Sequence, residues 1–288
     1  MKFYLNGNWE SRDQVIEVTN PYDNSIVDVV PKATEADIET ALQSAVKGAA
    51  SMAETTGYER FEILRRTADL IQQRSEDLAQ LLSKEEGKTL SESRLEVDRS
   101  VQTMELSGEE AKRISGEQLP LDGGKDVRNR LGFTLRVPCG VVVAISPFNF
   151  PLNLVCHKVG PALAAGNAVI LKPASDTPLV SLEFVKILLE AGLPPLGIQC
   201  LTGSGAVIGG GLCADPRVRK ITFTGSREVG EDICRVAGLK KVTMELGSNC
   251  PLIVLPDADL DAAAQAVAVS GYANAGQVCI STQRLIVV

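Results

Sequence analysis

The sequence predicts an α/β fold: a parallel sheet covered by helices on both faces. Three observations carry this. From Val141 onward, apolar Val- and Ile-rich runs alternate with helical patterns, as in a βαβ succession. Those runs are continuously apolar, which is how strands without a wetted face read. The composition is that of an ordinary globular chain, with 288 residues, 44% hydrophobic and 23% charged, long enough for roughly one to two domains with a real core.

The elements follow in order. The first 33 residues are short β-like runs separated by turn signals at Asn6-Gly7, Asn20-Pro21 and Asp23-Asn24. Three helical patterns come next. Thr34 caps the first, with Ile38, Leu42, Val46 and Ala49 at helical spacing. The second runs from about Tyr58 to Lys84 and the third from about Thr89 to Ile114. After the turn signal Asp122-Gly123-Gly124-Lys125, Leu131–Val137 reads as a strand. Strands are then expected at Val141–Ser146, Ala168–Lys172, Ile198–Thr202, Lys220–Thr224, Val242–Leu246 and Leu252–Leu255. Helices are expected between them at Leu152–Ala165, Leu179–Ala191, Ala206–Ala214, Glu228–Ala237 and Leu260–Ala275. The last residues, Arg284–Val288, form an apolar β run with neither cap nor turn after it. Domains seldom end inside a buried strand, so the expectation is a fragment of a longer protein.

The bulk numbers narrow the function. A net charge of −7 without a basic stripe argues against nucleic acid as a partner. The N-terminus lacks the apolar core of a signal peptide, and no run is long enough to span a bilayer, so the expected location is the cytoplasm. Seven cysteines without Cys-x-x-Cys spacing read as reduced thiols. The single histidine, His157, excludes a multi-histidine metal site and reads as a packed or capping residue rather than a catalytic one.

In a parallel α/β sheet the ligand site lies at the carboxyl ends of the strands, and several motifs fall there. Val141–Ser146 runs into Pro147-Phe148-Asn149-Phe150-Pro151. Two prolines pin this loop, so Asn149 is either an amide donor to a developing oxyanion or a turn asparagine. Ala168–Lys172 ends in Lys172-Pro173-Ala174-Ser175, where a lysine suits the hydroxyls or phosphate of a nucleotide. Lys220–Thr224 leads into Gly225-Ser226-Arg227-Glu228-Val229-Gly230, a helix start that offers backbone N–H groups to a pyrophosphate. The run Gly203–Gly211 has neither Gly-x-Gly-x-x-Gly spacing nor a Walker lysine. It reads as a closely packed strand–helix turn ahead of a cofactor contact. Glu245, beside Leu246-Gly247, is either a surface glutamate or a base whose pKa an apolar pocket raises. Cys279, in Gly276-Gln277-Val278-Cys279, is either a small buried hydrophobe or a thiol nucleophile.

Taken in this order, Pro147–Pro151, Lys172–Ser175, Phe223–Ser226, Glu245–Gly247 and Gly276–Cys279 resemble the aldehyde dehydrogenase superfamily over essentially the whole chain. The resemblance implies a Rossmann-like cofactor domain (1–115 and 141–247), a bridging and oligomerisation arm (116–140) and the start of an α/β catalytic domain (248–288). It implies oxidation of an aldehyde to an acid with NAD or NADP. Cys279 would be the nucleophile, Glu245 the base that activates water, and Asn149 the oxyanion donor together with the Cys279 N–H. Lys172 would contact the adenosine ribose and Ser226 the pyrophosphate, with Gly225 and Gly230 shaping the turn. Ser175, Pro147, Phe148 and Leu246 also fall on the cofactor side.

Ser175 stands where NAD-preferring members often carry Glu, which leaves room for a 2′-phosphate. Ser248-Asn249 replaces the commoner Gly-Lys, a variant similar to branches acting on small polar or anionic aldehydes. Members continue well beyond this length, usually as homodimers or homotetramers, so the 288 residues alone are expected to have little or no activity. A CoA-acylating relative and a non-catalytic nucleotide-binding module are the rival readings.

Overall fold

The computed structural model describes all of residues 1–288. Its elements in chain order are β1 (Phe3–Leu5), β2 (Asn8–Glu10), β3 (Val15–Thr19), β4 (Ile26–Pro31), α1 (Glu35–Ala53), α2 (Gly57–Gln73), α3 (Ser75–Glu86), α4 (Leu90–Ala111), β5 (Gln118–Leu119), β6 (Gly132–Phe133), β7 (Val141–Ile145), α5 (Asn153–Ala164), β8 (Ala168–Lys172), α6 (Leu179–Glu190), β9 (Ile198–Cys200), α7 (Gly210–Ala214), β10 (Val218–Thr224), α8 (Arg227–Ala237), β11 (Lys241–Glu245), β12 (Pro251–Val254), α9 (Leu260–Tyr272) and β13 (Arg284–Val287).

A seven-stranded sheet in the order β11-β10-β7-β8-β9-β1-β2 organises the molecule. The strands from β11 to β9 are parallel, and β1–β2 is added antiparallel at the β9 edge. All five residues of β7 and all five of β8 are buried, as continuous apolar runs at the centre of a doubly covered sheet require. Helices α5 and α6 pack against β7, β8 and β9 and carry α2, α3 and α4 outside them, while α1, α7 and α8 pack on β7–β11 and on one another. Strand order reverses between β7 and β10, which opens the crevice at their carboxyl ends where such sheets bind ligands.

The helical starts follow their caps. Thr34, Thr56 and Thr89 each form a capping box, with Asp37, Glu59 and Glu92 respectively. Helices α5 and α6 have no side-chain cap of their own. Buried carboxylates from distant helices replace it. Glu96 accepts from the N–H groups of Leu152 and Asn153 at 2.9 and 3.0 Å, and Glu85 from those of Leu179 and Val180 at 2.7 and 2.9 Å.

Several expectations change in detail. The helix expected over Tyr58–Lys84 is two helices that meet at Arg74. Leu131–Val137 supplies only the two-residue β6, because β5 is its sole partner and a strand without a neighbour is not held extended. The first 33 residues divide between two sheets, with β3–β4 a ladder of their own. Strands β12 and β13 pair in parallel, apart from the large sheet.

Candidate active site

A cleft of about 920 Å³ opens along the carboxyl ends of β7, β8, β10 and β11. Asn149, Glu245 and Cys279 all line it, as do Lys172, Gly225, Ser226, Pro147, Phe148 and Leu246. Residues 130 positions apart in the chain meet there because each motif follows a strand of the same sheet or a turn packed against it.

Asn149 is held from three sides. Its side-chain Nδ2 donates to the carbonyl of Gln277 at 2.7 Å. Its own main-chain carbonyl accepts from Lys88 Nζ at 2.6 Å and from Asn274 Nδ2 at 3.2 Å. The Lys88 ammonium is fully buried, 2.7 Å from Glu96 and 4.1 Å above the Phe150 ring. Asn274 also donates through its N–H to Glu92 and through Nδ2 to Glu86. It does so from a left-handed turn, φ 48 for Asn274 and 56 for Ala275, the conformation that asparagine tolerates best among residues with side chains. The Cys279 loop and the Asn149 loop are thereby fastened to α3 and α4.

Cys279 is exposed, in the turn closed by the Ser281 N–H on the Val278 carbonyl. It is not the buried hydrophobe that free cysteines most often are. Glu245 ends β11 with its side chain exposed to the cleft and its carbonyl accepting from the Gly225 N–H at 3.1 Å. No apolar pocket encloses it in this structure. Behind it stands Lys158, which reaches from α5 to Thr224 Oγ1 at 2.7 Å. Burial lowers the Lys158 pKa to about 8 against the opposing pull of Glu245.

Lys172, also on the cleft, is 4% exposed, and burial lowers its pKa to about 8, with Asp176 resisting. Its Nζ lies 3.4 Å from Ser175 Oγ, which donates to the Gly203 carbonyl at 3.0 Å. Ser175 thus sits behind the rim, and Asp176 rather than Ser175 lines it. Ser226 is the N-cap of α8, its hydroxyl accepting from the Val229 N–H. Gly225 has no room for a side chain, since a Cβ would lie 2.5 Å from the Phe223 ring. Gly230 lies within α8 rather than in the turn, and its role is to admit Leu246, whose Cδ2 would be 2.7 Å from an added Cβ.

The Gly203–Gly211 run is the closely packed connection from β9 to α7, where a Cβ on Gly203 would lie 2.8 Å from Ile208. Gly205–Gly209 forms a π-turn, and Gly205, Ala206, Gly209 and Gly210 line the cleft. His157 is neither packed nor capping. Its ring is exposed on α5, with Nε2 3.5 Å from Thr103 Oγ1. Sequence reasoning missed Lys88, Glu96, Asn274, Lys158 and Asp176. The first four are buried, yet a charge or amide inside a helical pattern carries no sign of the distant carbonyl or hydroxyl it meets.

The cleft fits a polar nucleotide on its own terms. Ser146 Oγ and Asn149 Oδ1 are buried on its wall without hydrogen-bond partners, and buried polar atoms are seldom left so. The helix α8 start and the Lys172 ammonium supply positive potential to the same space.

The family model described as "Aldehyde dehydrogenase family" matches residues 9–288. The chain belongs to the aldehyde dehydrogenase family. It is 48% identical over 284 residues to 3-sulfolactaldehyde dehydrogenase of Priestia aryabhattai, covering 99% of this chain and 59% of that relative. It is 45% identical over 272 residues to aspartate-semialdehyde dehydrogenase 1 of Pseudomonas canavaninivorans, covering 94% and 58%. Among solved structures, an aldehyde dehydrogenase from Brucella melitensis biovar abortus 2308 superposes with a TM-score of 0.96 at 39% identity, covering 99% of this chain and 59% of that one. This aldehyde dehydrogenase chain therefore spans about 59% of the length of the relatives it matches. None of its helices is long and apolar enough to cross a membrane.

Proposed function

We propose that the enzyme containing this chain oxidises a small polar or anionic aldehyde to the carboxylic acid through a thioester on Cys279. The single observation that carries this is that Cys279, Glu245 and Asn149 line one cleft together with Lys172 and Ser226. The names of the relatives support the substrate class. Sulfolactaldehyde and aspartate semialdehyde both carry an anionic group.

The roles follow from the chemistry of the groups. Cys279 Sγ, freed of its proton, adds to the aldehyde carbon, and the carbonyl electron pair moves onto oxygen. Asn149 Nδ2 has one N–H committed to Gln277, which leaves the other to meet that oxygen along with the Cys279 N–H. The hydride that the aldehyde carbon must lose needs an acceptor, which a bound NAD(P)+ would supply. Glu245 takes a proton from water so that the water can displace Cys279 from the thioester. Lys172, Ser226 and Gly225 would hold the nucleotide, with Pro147, Phe148 and Leu246 against it.

The seven-stranded sheet supports residues 1–115 and 141–247 as the nucleotide-binding domain. The separate β12–β13 pair supports 248–288 as the start of the catalytic domain, and the β5–β6 pair supports 116–140 as an arm used in a homodimer or homotetramer. By itself the 288-residue chain should turn over little or no aldehyde, and robust activity would refute that statement. Alkylation of intact protein tests the site: Cys279 should react faster than the other six cysteines, and Cys279→Ser should retain NAD(P)+ binding. Equal labelling of Cys279 and Cys234, the other exposed thiol, would remove Cys279 from its role.

A further inference from the structure

We propose that Cys250 is a resolving thiol for Cys279, closing a reversible disulfide with it when a peroxide reaches the cleft. The two cysteines come from different loops, and the start of the β12–β13 ladder draws them together. Cys250 immediately precedes Pro251, which pairs with Arg284 as the first rung of that ladder. Cys279 lies in the turn just before β13. The contact is direct: Cys250 Sγ lies 3.3 Å from the main-chain carbonyl oxygen of Cys279. The Cys279 thiol belongs to the residue that Cys250 Sγ already touches.

Cys250 is also held for the task. Its φ is +28, a left-handed value that is strained for a residue with a side chain. Its N–H donates to Ser248 Oγ at 3.4 Å and its thiol to the same oxygen at 3.3 Å. Three of the remaining five thiols are poor rivals. Cys156, Cys200 and Cys213 are buried, and burial raises all three pKa values, that of Cys213 to about 11.

The chemistry balances with one equivalent of peroxide. The Cys279 thiolate attacks a peroxide oxygen: an S–O bond forms, the O–O bond breaks, and the leaving oxygen departs as hydroxide and is protonated. Cys250, as thiolate, attacks the resulting sulfenic sulfur. The S–S bond forms and the S–O bond breaks, and the expelled hydroxide takes the thiol proton as water. Two thiols and one peroxide give one disulfide and two waters. Without a resolving thiol, a second equivalent of peroxide oxidises the sulfenic acid to sulfinic acid with release of water, and thiol reductants do not reverse this.

The test uses the intact 288-residue chain. It is treated with hydrogen peroxide or, separately, diamide, blocked with N-ethylmaleimide and mapped by mass spectrometry. Trypsin leaves both cysteines on one peptide, Val242–Arg284, so the link appears there as the loss of two hydrogens. A protease cutting at Asp257–Asp261 then gives two peptides joined through sulfur. The expected result is this link as the main product, reversed by dithiothreitol with return of Cys279 alkylation. In Cys250→Ser and Cys250→Ala, checked for native circular dichroism, peroxide should instead give sulfinic Cys279 that dithiothreitol does not recover. Cys234→Ser should behave as the unaltered chain.

The inference is overturned if Cys279 over-oxidises equally with and without Cys250, or if Cys279 links to a different cysteine. It builds on the proposed nucleophile, and the two fail separately. Fast alkylation of Cys279 with no link removes Cys250 alone. A diamide-formed link with slow alkylation removes the nucleophile and keeps the pairing.

Discussion

The buried ammonium of Lys88 lies 2.6 Å from the main-chain carbonyl of Asn149, sixty-one positions away in the chain. The same ammonium is paired with Glu96 at 2.7 Å, and Glu96 in turn caps the helix that follows Asn149. One ion pair thus fixes the middle and the far end of the loop that presents the Asn149 amide, and the prolines at 147 and 151 are not its only restraint.

Replacing Lys88 with Met should destabilise the chain by about 3–5 kcal/mol, the usual cost of leaving a buried partner charge unpaired. Urea unfolding of the variant measures this. Pairing Lys88→Met with Glu96→Gln should recover part of the loss, because the uncompensated charge is gone. Equal losses in the single and double variants would show that the pair is not energetically coupled.

Nucleotide affinity should depend on pH through Lys172. Burial lowers its pKa from 10.5 to about 8, so it is charged below that pH and neutral above it. Only the charged form attracts phosphate, so the Kd for NADP+ should rise by roughly tenfold, ~1.4 kcal/mol, between pH 7 and 9.5. The same shift makes folding stability rise from pH 8 to 10.5, where the unfolded chain still binds the proton. Lys172→Met should flatten the affinity profile in calorimetric titration.

Ser175→Glu should weaken NADP+ binding by roughly tenfold through like-charge repulsion of the 2′-phosphate, with little change for NAD+. Titration of both nucleotides against the variant reads the ratio directly, and an unchanged NADP+ affinity would show that this position does not face the ribose.

Gly230→Ala separates packing from binding. Alanine is favoured over glycine within a helix by about 1 kcal/mol, while the overlap with Leu246 costs roughly 1–3 kcal/mol. Net stability should therefore fall by no more than about 2 kcal/mol. Leu246 lines the cleft, so its displacement should raise the Kd for NAD(P)+ by more than the change in thermal midpoint accounts for.

The strand-end motifs were legible because the sheet is regular. β7, β8, β10 and β11 announce themselves as Val/Ile runs, and whatever follows such a run lies at the crevice. Asn149, Lys172, Ser226 and Glu245 were found in that way. Lys88, Glu96 and Asn274 were not. Each looks like an ordinary polar residue in a helix or turn, and its partners are 8 to 188 positions away. The destination of β1–β2 was equally hidden, since a three-residue run does not specify which sheet edge it joins.

The sequence by itself determined the α/β class, the parallel core strands and the order of motifs that marks the family, because hydrophobic period and turn chemistry are local properties. Tertiary structure decided how those motifs are held. It placed the Lys88–Glu96 pair under the Asn149 loop, moved Gly230 from the nucleotide turn to the packing of Leu246, and set Cys250 against Cys279. Each of these depends on two segments meeting in space, and a hydrogen bond, an ion pair or a steric overlap exists only once both partners are in place.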